Sequence, residues 1–118
     1  MAQYAVFIYE AEIPGGWDNA PAELLEAHEA FPGRVEELGG KILNGLALQP
    51  ADTARTVRGG EVADRPFSDS KQSIGGAFVL EAKDIDHALE IAKVVPVHDG
   101  GVEIRPLFDV PQEEPEAA

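Results

Sequence analysis

Apolar and polar positions follow two rhythms along this chain, and each change of rhythm marks an element. In residues 3–10 the side chains of Tyr4, Val6 and Ile8 fall on one face of an extended segment, and Ala5, Phe7 and Tyr9 fall on the other. Aromatic and β-branched residues in such a run predict a strand. Because both faces are apolar, it predicts a central strand covered on both sides. Residues 77–82 read the same way, with Phe78 and Leu80 opposed to Ala77 and Val79. A helical stripe runs through Leu24, Leu25, Phe31, Val35 and Leu38. Pro21 suits its first turn, and Gly39-Gly40 supplies a left-handed end. Pro32 lacks the N–H that would bond the His28 carbonyl, which predicts a kink or short break there.

The remaining segments complete an order. Residues 41–48 form a second strand, and residues 53–58 and 61–63 flank Gly59-Gly60 as a hairpin. The polar stretch 68–73 reads as a loop. Asp84 caps a second helix with Ile85, Ala88, Leu89 and Ala92 on its buried side, and Pro96 ends it. The last strand covers residues 102–110, where Pro106 argues for an edge or a bulge. The expected fold class is α+β, a ferredoxin-like βαββαβ repeat with an inserted hairpin. Its first and third main strands then lie at the centre. Two helices cover only one face of such a sheet, so a second copy on the other face, a homodimer, is expected. One domain over residues 1–110 leaves residues 111–118 as an acidic tail, expected to be disordered because it lacks apolar residues to pack.

Composition narrows the function. The 118 residues carry 9 basic and 22 acidic side chains, a formal net charge of −13. That charge repels phosphate, so neither nucleic acid nor an anionic membrane is an expected partner. The absence of cysteine removes disulfides, thiolate zinc sites, iron–sulfur clusters and cysteine nucleophiles. No apolar run approaches the roughly 20 residues that cross a bilayer, and the start lacks a basic signal-peptide region. A cytoplasmic protein without cofactor is expected.

Among residues able to carry chemistry, His28 stands out. It sits on the apolar stripe, four residues after Leu24 and three before Phe31. A histidine exchanges protons near neutrality, although one on an apolar stripe also serves simply as a hydrogen-bonded core residue. Asp64, at the end of the hairpin, is the carboxylate best placed by sequence to orient it. The competing reading of Asp64-Arg65-Pro66-Phe67 is a turn. His98 lies in the glycine-rich loop before the last strand, either touching a ligand or serving as a solvated turn residue. His87 falls between buried positions of the second helix and is expected to be exposed. Trp17 is a candidate lid over a pocket or a residue packed at a dimer edge. Arg65 and Arg105 are candidates for holding an anionic substituent. Three scattered histidines make no metal motif, so no metal is expected.

Several stretches resemble a known family. They are Asp64-Arg65-Pro66-Phe67-Ser68-Asp69-Ser70-Lys71, Ile74-Gly75-Gly76-Ala77-Phe78, Ala82-Lys83-Asp84-Ile85-Asp86-His87-Ala88-Leu89 and Val102-Glu103-Ile104-Arg105-Pro106. Together with the early strand and Ala27-His28-Glu29-Ala30-Phe31, they look like YCII-related proteins of the DGPF type over residues 4–110. The resemblance implies a ferredoxin-like fold, dimers of the α+β-barrel type and a His–Asp pair in a pocket near the sheet. By matching motifs that pair is His28 and Asp64. Arg65 stands where the family has glycine, and Pro32-Gly33 falls where its members continue the helix. One related type acts as a dehydrochlorinase on chlorinated hydroxyquinones, and the fold resembles that of muconolactone isomerases. The implied chemistry is cofactor-independent acid–base catalysis, lyase- or isomerase-like, on a small cyclic or carbonyl-containing molecule. The alternative is a non-catalytic module that binds a small ligand or a regulatory partner.

Overall fold

A computed structural model describes residues 1–108, so the 111–118 tail lies outside the described residues. The elements are β1 (Ala2–Ala11), α1 (Ala22–Glu37), β2 (Lys41–Ala47), β3 (Thr56–Arg58), β4 (Glu61–Ala63), β5 (Gln72–Ala82), α2 (Ile85–Ala92) and β6 (Gly100–Pro106). Four of the strands form an antiparallel sheet in the order β2-β5-β1-β6. This is the ferredoxin-like α+β arrangement, and the two segments apolar on both faces are its central strands. Edge strand β6 ends at Pro106, where the missing N–H removes little from the ladder.

Alternation along the central strands explains where the core sits. Tyr4 and Val6 of β1 and Phe78, Leu80 and Ala82 of β5 point to the helical side. They meet Phe31 and Val35 of α1, Ala88 and Ile91 of α2, and Val95 beyond it. The Phe31 and Phe78 rings pack edge to face, 5.7 Å between centroids. The opposite face carries Ala5, Phe7, Tyr9, Ala77 and Val79, half-buried in the isolated chain, beside the exposed Leu46 of β2. Among the described residues, no helix covers it. Among the described residues, no helix is long and apolar enough to cross a membrane.

Several boundaries differ from the sequence reading. Helix α1 runs unbroken through Pro32, which lies on its exposed side. There the ring meets no core, and the loss is confined to one bond to the His28 carbonyl. Leu25 and Leu38 are exposed, so the buried stripe narrows to Phe31 and Val35 with Leu24 and His28 at its margin. In α2 the buried positions are Ala88 and Ile91, whereas Ile85 and Leu89 are exposed. Strand β5 starts at Gln72, because the polar residues Gln72 and Ser73 continue the pairing with Ala11 and Glu10 past a bulge at Tyr9. The β3–β4 hairpin turns as expected. Gly59 and Gly60 have φ of 59° and 86°, as a turn with two left-handed central residues requires.

Helix α1 ends in a Schellman arrangement, the Gly39 N–H donating to the Glu36 carbonyl and the Gly40 N–H to that of Val35. His87 then ties the helices together. Its Nδ1 accepts the Lys83 N–H at 3.0 Å, so Nε2 carries the proton that it donates to the Leu38 carbonyl at 2.6 Å. It is therefore half-buried and bonded, not the free surface residue the sequence suggested. His87→Ala is expected to lower stability by about 1–2 kcal/mol through two lost hydrogen bonds. Urea unfolding followed by circular dichroism measures this; an unchanged midpoint would dismiss the clamp.

Candidate functional site

The loop after β1 carries Pro14-Gly15-Gly16 and closes with a 3-10 turn over Trp17–Asn19. That turn lays the Trp17 indole edge-on against the His28 imidazole, with centroids 5.0 Å apart and planes at 90°. His28 Nε2 is buried and has no hydrogen-bond partner among the described residues. An orphaned buried ring nitrogen is costly, because buried polar groups in proteins are nearly all satisfied. A hollow of about 620 Å³ opens beside it, lined by Trp17, Ala22, Leu25, Glu26, His28 and Glu29.

The other residues singled out by sequence lie elsewhere. Asp64 Oδ1 is 3.3 Å from Arg55 Nε, and no hydrogen bond or ion pair joins Asp64 to His28 among the described residues. Hairpin register explains the partner chosen. Thr56 opposes Ala63 and Arg58 opposes Glu61, so one step further Arg55 faces Asp64. Arg65 pairs with Asp69 at 3.2 Å. Arg105 pairs with Glu103 at 2.8 Å on the open sheet face, and the Tyr9 hydroxyl donates to the same carboxylate at 3.2 Å. The hydrogen bond from Arg105, then its charge, holds the Glu103 carboxyl below its usual range, and Glu103 in turn raises the Arg105 guanidinium. His98 is half-buried, its backbone N–H donating to Glu10 Oε1 at 3.0 Å. Of the six sequence candidates, the structure thus joins only Trp17 and His28.

Sequence reasoning missed Arg55. It borders a hollow of about 670 Å³ between β1, the start of β5 and the loops around residues 49–56 and 66–70. Tyr9, Leu48, Phe67 and Ile74 supply apolar wall, and serine, threonine and glutamine side chains supply polar groups. Phe67 is steadied by the Arg58 guanidinium, 4.3 Å from its ring centre. The signal that could have found Arg55 was the hairpin itself, extended by one residue on each strand. A third hollow, of about 580 Å³, touches Trp17 at one end and shares Leu48, Gln49, Pro50, Ser73 and Ile74 with the Arg55 hollow. No group of three His, Asp or Glu side chains is placed to hold a metal ion among the described residues.

The fold and these hollows define an α+β sheet protein with a histidine beside a hollow on the first half of helix α1. The sequence profile of the YCII-related domain matches residues 2–111, and the chain belongs to that family. It is also similar to an uncharacterized protein of Rhizobium meliloti, 29% identical over 112 residues, which make up 88% of this chain and 90% of that protein.

Proposed function

We propose that this protein performs proton transfer on a small cyclic or carbonyl-containing molecule, with His28 as the general acid or base. The observation that carries the reading is the partnerless, buried Nε2 of His28 beneath Trp17. Displacement of the Trp17 indole would let a bound carbonyl or hydroxyl oxygen reach that nitrogen and give it the partner it lacks. Trp17 forms one wall of the hollow. In this reading His28 acts without a carboxylate, because Asp64 is engaged by Arg55. We further propose that two copies pack their open sheet faces together, which would cover Phe7, Val79 and Leu46. Non-catalytic binding is the second reading; it is favoured by the hollow of about 670 Å³ beside Arg55, which His28 does not line.

Small molecules that copurify with the protein, together with 2-cyclohexenone as a probe, are to be followed by proton NMR in D2O. Wild type is expected to accelerate exchange of the proton beside the carbonyl, His28→Ala to lose that acceleration, and Asp64→Asn to keep it. Equal exchange in wild type and His28→Ala would dismiss catalysis at His28. Equal loss in both variants would instead restore the His–Asp pair.

A further inference from the structure

We infer that the hollow beside Arg55 is a binding site for a small monocarboxylate with an apolar ring, held by the Arg55 guanidinium. The inference does not depend on proton transfer at His28. Its first support is charge. In a chain of net charge −13, the residues lining this hollow include no Asp or Glu, and Arg55 is its one charged member. The two neighbouring hollows are acidic by contrast, with Glu26 and Glu29 in one and Glu10, Glu12 and Asp52 in the other. An anion repelled by most of this surface therefore meets, at Arg55 and its counter-ion Asp64, a stretch without net negative charge.

The second support is the way Arg55 is held. Its Nη1 donates to the carbonyls of Thr53 and Ala54 at 3.2 and 2.9 Å, and Nε faces Asp64. Three contacts fix the plane of the guanidinium, and among the described residues Nη2 has no partner. The fork is pre-organised with a donor to spare. Ser68 and Ser70 add to it. Each hydroxyl oxygen accepts a backbone N–H, from Ser70 and Gln72 respectively, and so keeps its own O–H for a ligand.

The third support is shape. A volume of about 670 Å³ with aromatic and aliphatic walls suits a ring-sized body, and the small number of donors suits one acidic group. A phosphate dianion would face stronger repulsion from the whole chain, so a carboxylate fits better. Arg65 and Arg105, the cations that sequence reading offered for this role, do not line the hollow.

Asp64 makes the inference testable in both directions. Its carboxylate competes with a ligand for the same guanidinium, so removing its charge should strengthen binding. Benzoate and its neutral counterpart benzamide are to be titrated into the full chain, followed by amide NMR shifts. Benzoate is expected to move the resonances of Thr53–Thr56 and Ser68–Ser73 and to leave those of Trp17 and Ala27–Glu29 in place. Arg55→Gln should weaken benzoate at least tenfold and leave benzamide binding unchanged. Asp64→Asn should tighten benzoate several-fold, and His28→Ala should change neither ligand. The site is dismissed if benzoate moves nothing in these loops, or moves them equally in Arg55→Gln. It is equally dismissed if Asp64→Asn weakens benzoate, an outcome that decides the matter even where Arg55→Gln is poorly folded.

Discussion

Gly100→Ala is expected to destabilise the protein by about 3 kcal/mol, whereas Gly101→Ala next to it should cost less than about 1 kcal/mol. The reason is backbone against backbone. A Cβ on Gly100 would sit on the Tyr9 carbonyl oxygen, inside any allowed contact, and 2.8 Å from Glu10 Cα. No rotamer change relieves either overlap, because neither atom belongs to a side chain. The start of β6 must move away from β1, and two long-range bonds are anchored nearby: Gln72 Nε2 to the Asp99 carbonyl at 2.7 Å, and the His98 N–H to Glu10 at 3.0 Å. A Cβ on Gly101 meets nothing within 4 Å. Urea and thermal unfolding of the two variants test this side by side. For a chain of this size the Gly100 variant should melt about 10–15 °C lower. Coincident melting curves for Gly100→Ala and Gly101→Ala would overturn the close approach.

The architecture was largely legible because it rests on local rules that survive folding. Period-two alternation in residues 3–10 and 77–82 identified the central strands, and their side chains divide between helical side and open face as the pleat requires. Gly59-Gly60 identified the hairpin. What failed were margins that local rules do not set. Pro32 ends a helix in isolation, but here Phe31 and Val35 are packed on either side of it, and their burial holds the helix together across one missing bond. Gln72 and Ser73 are polar, yet they extend a strand because β1 offers a partner edge.

The site was less legible, since it depends on where loops travel. Nothing in the spacing of Trp17 and His28 announces that they touch; the path of the turn after Gly16 decides it. The pairing of Asp64 with Arg55 follows from the hairpin register, so that fact was within reach of the sequence and redirects the carboxylate away from His28. The cations at Arg65 and Arg105 find acids four and two residues away, as short-range pairs on exposed chain commonly do, and such pairs contribute little. Among the described arginines paired with an acid, Arg55 is the one that lines the hollow of about 670 Å³.

Val79→Asp is the substitution that tests the proposed packing of open faces. Leu80 and Val79 are neighbours on β5 with opposite surroundings. Leu80 is fully buried against the helices, and Val79 lies half-buried between Ala5 and Asn44 on the uncovered side. If water covers that side in solution, an aspartate there costs only strand preference, about 1 kcal/mol. If a second copy covers it, the symmetry of the pair adds two carboxylates to an interface whose Glu103 and Arg105 already neutralise each other. Each desolvated charge costs several kcal/mol, and every 1.4 kcal/mol weakens association tenfold. Light scattering at micromolar concentration should therefore give a dimer for wild type and for the shape-conserving Val79→Thr, and a folded monomer for Val79→Asp. The circular dichroism spectrum should be unchanged across all three, because the substituted side chain leaves the helix-covered core untouched. A monomeric wild type, or a Val79→Asp variant that still dimerises, would remove the second copy from this face and leave Ala5, Phe7, Val79 and Leu46 facing solvent.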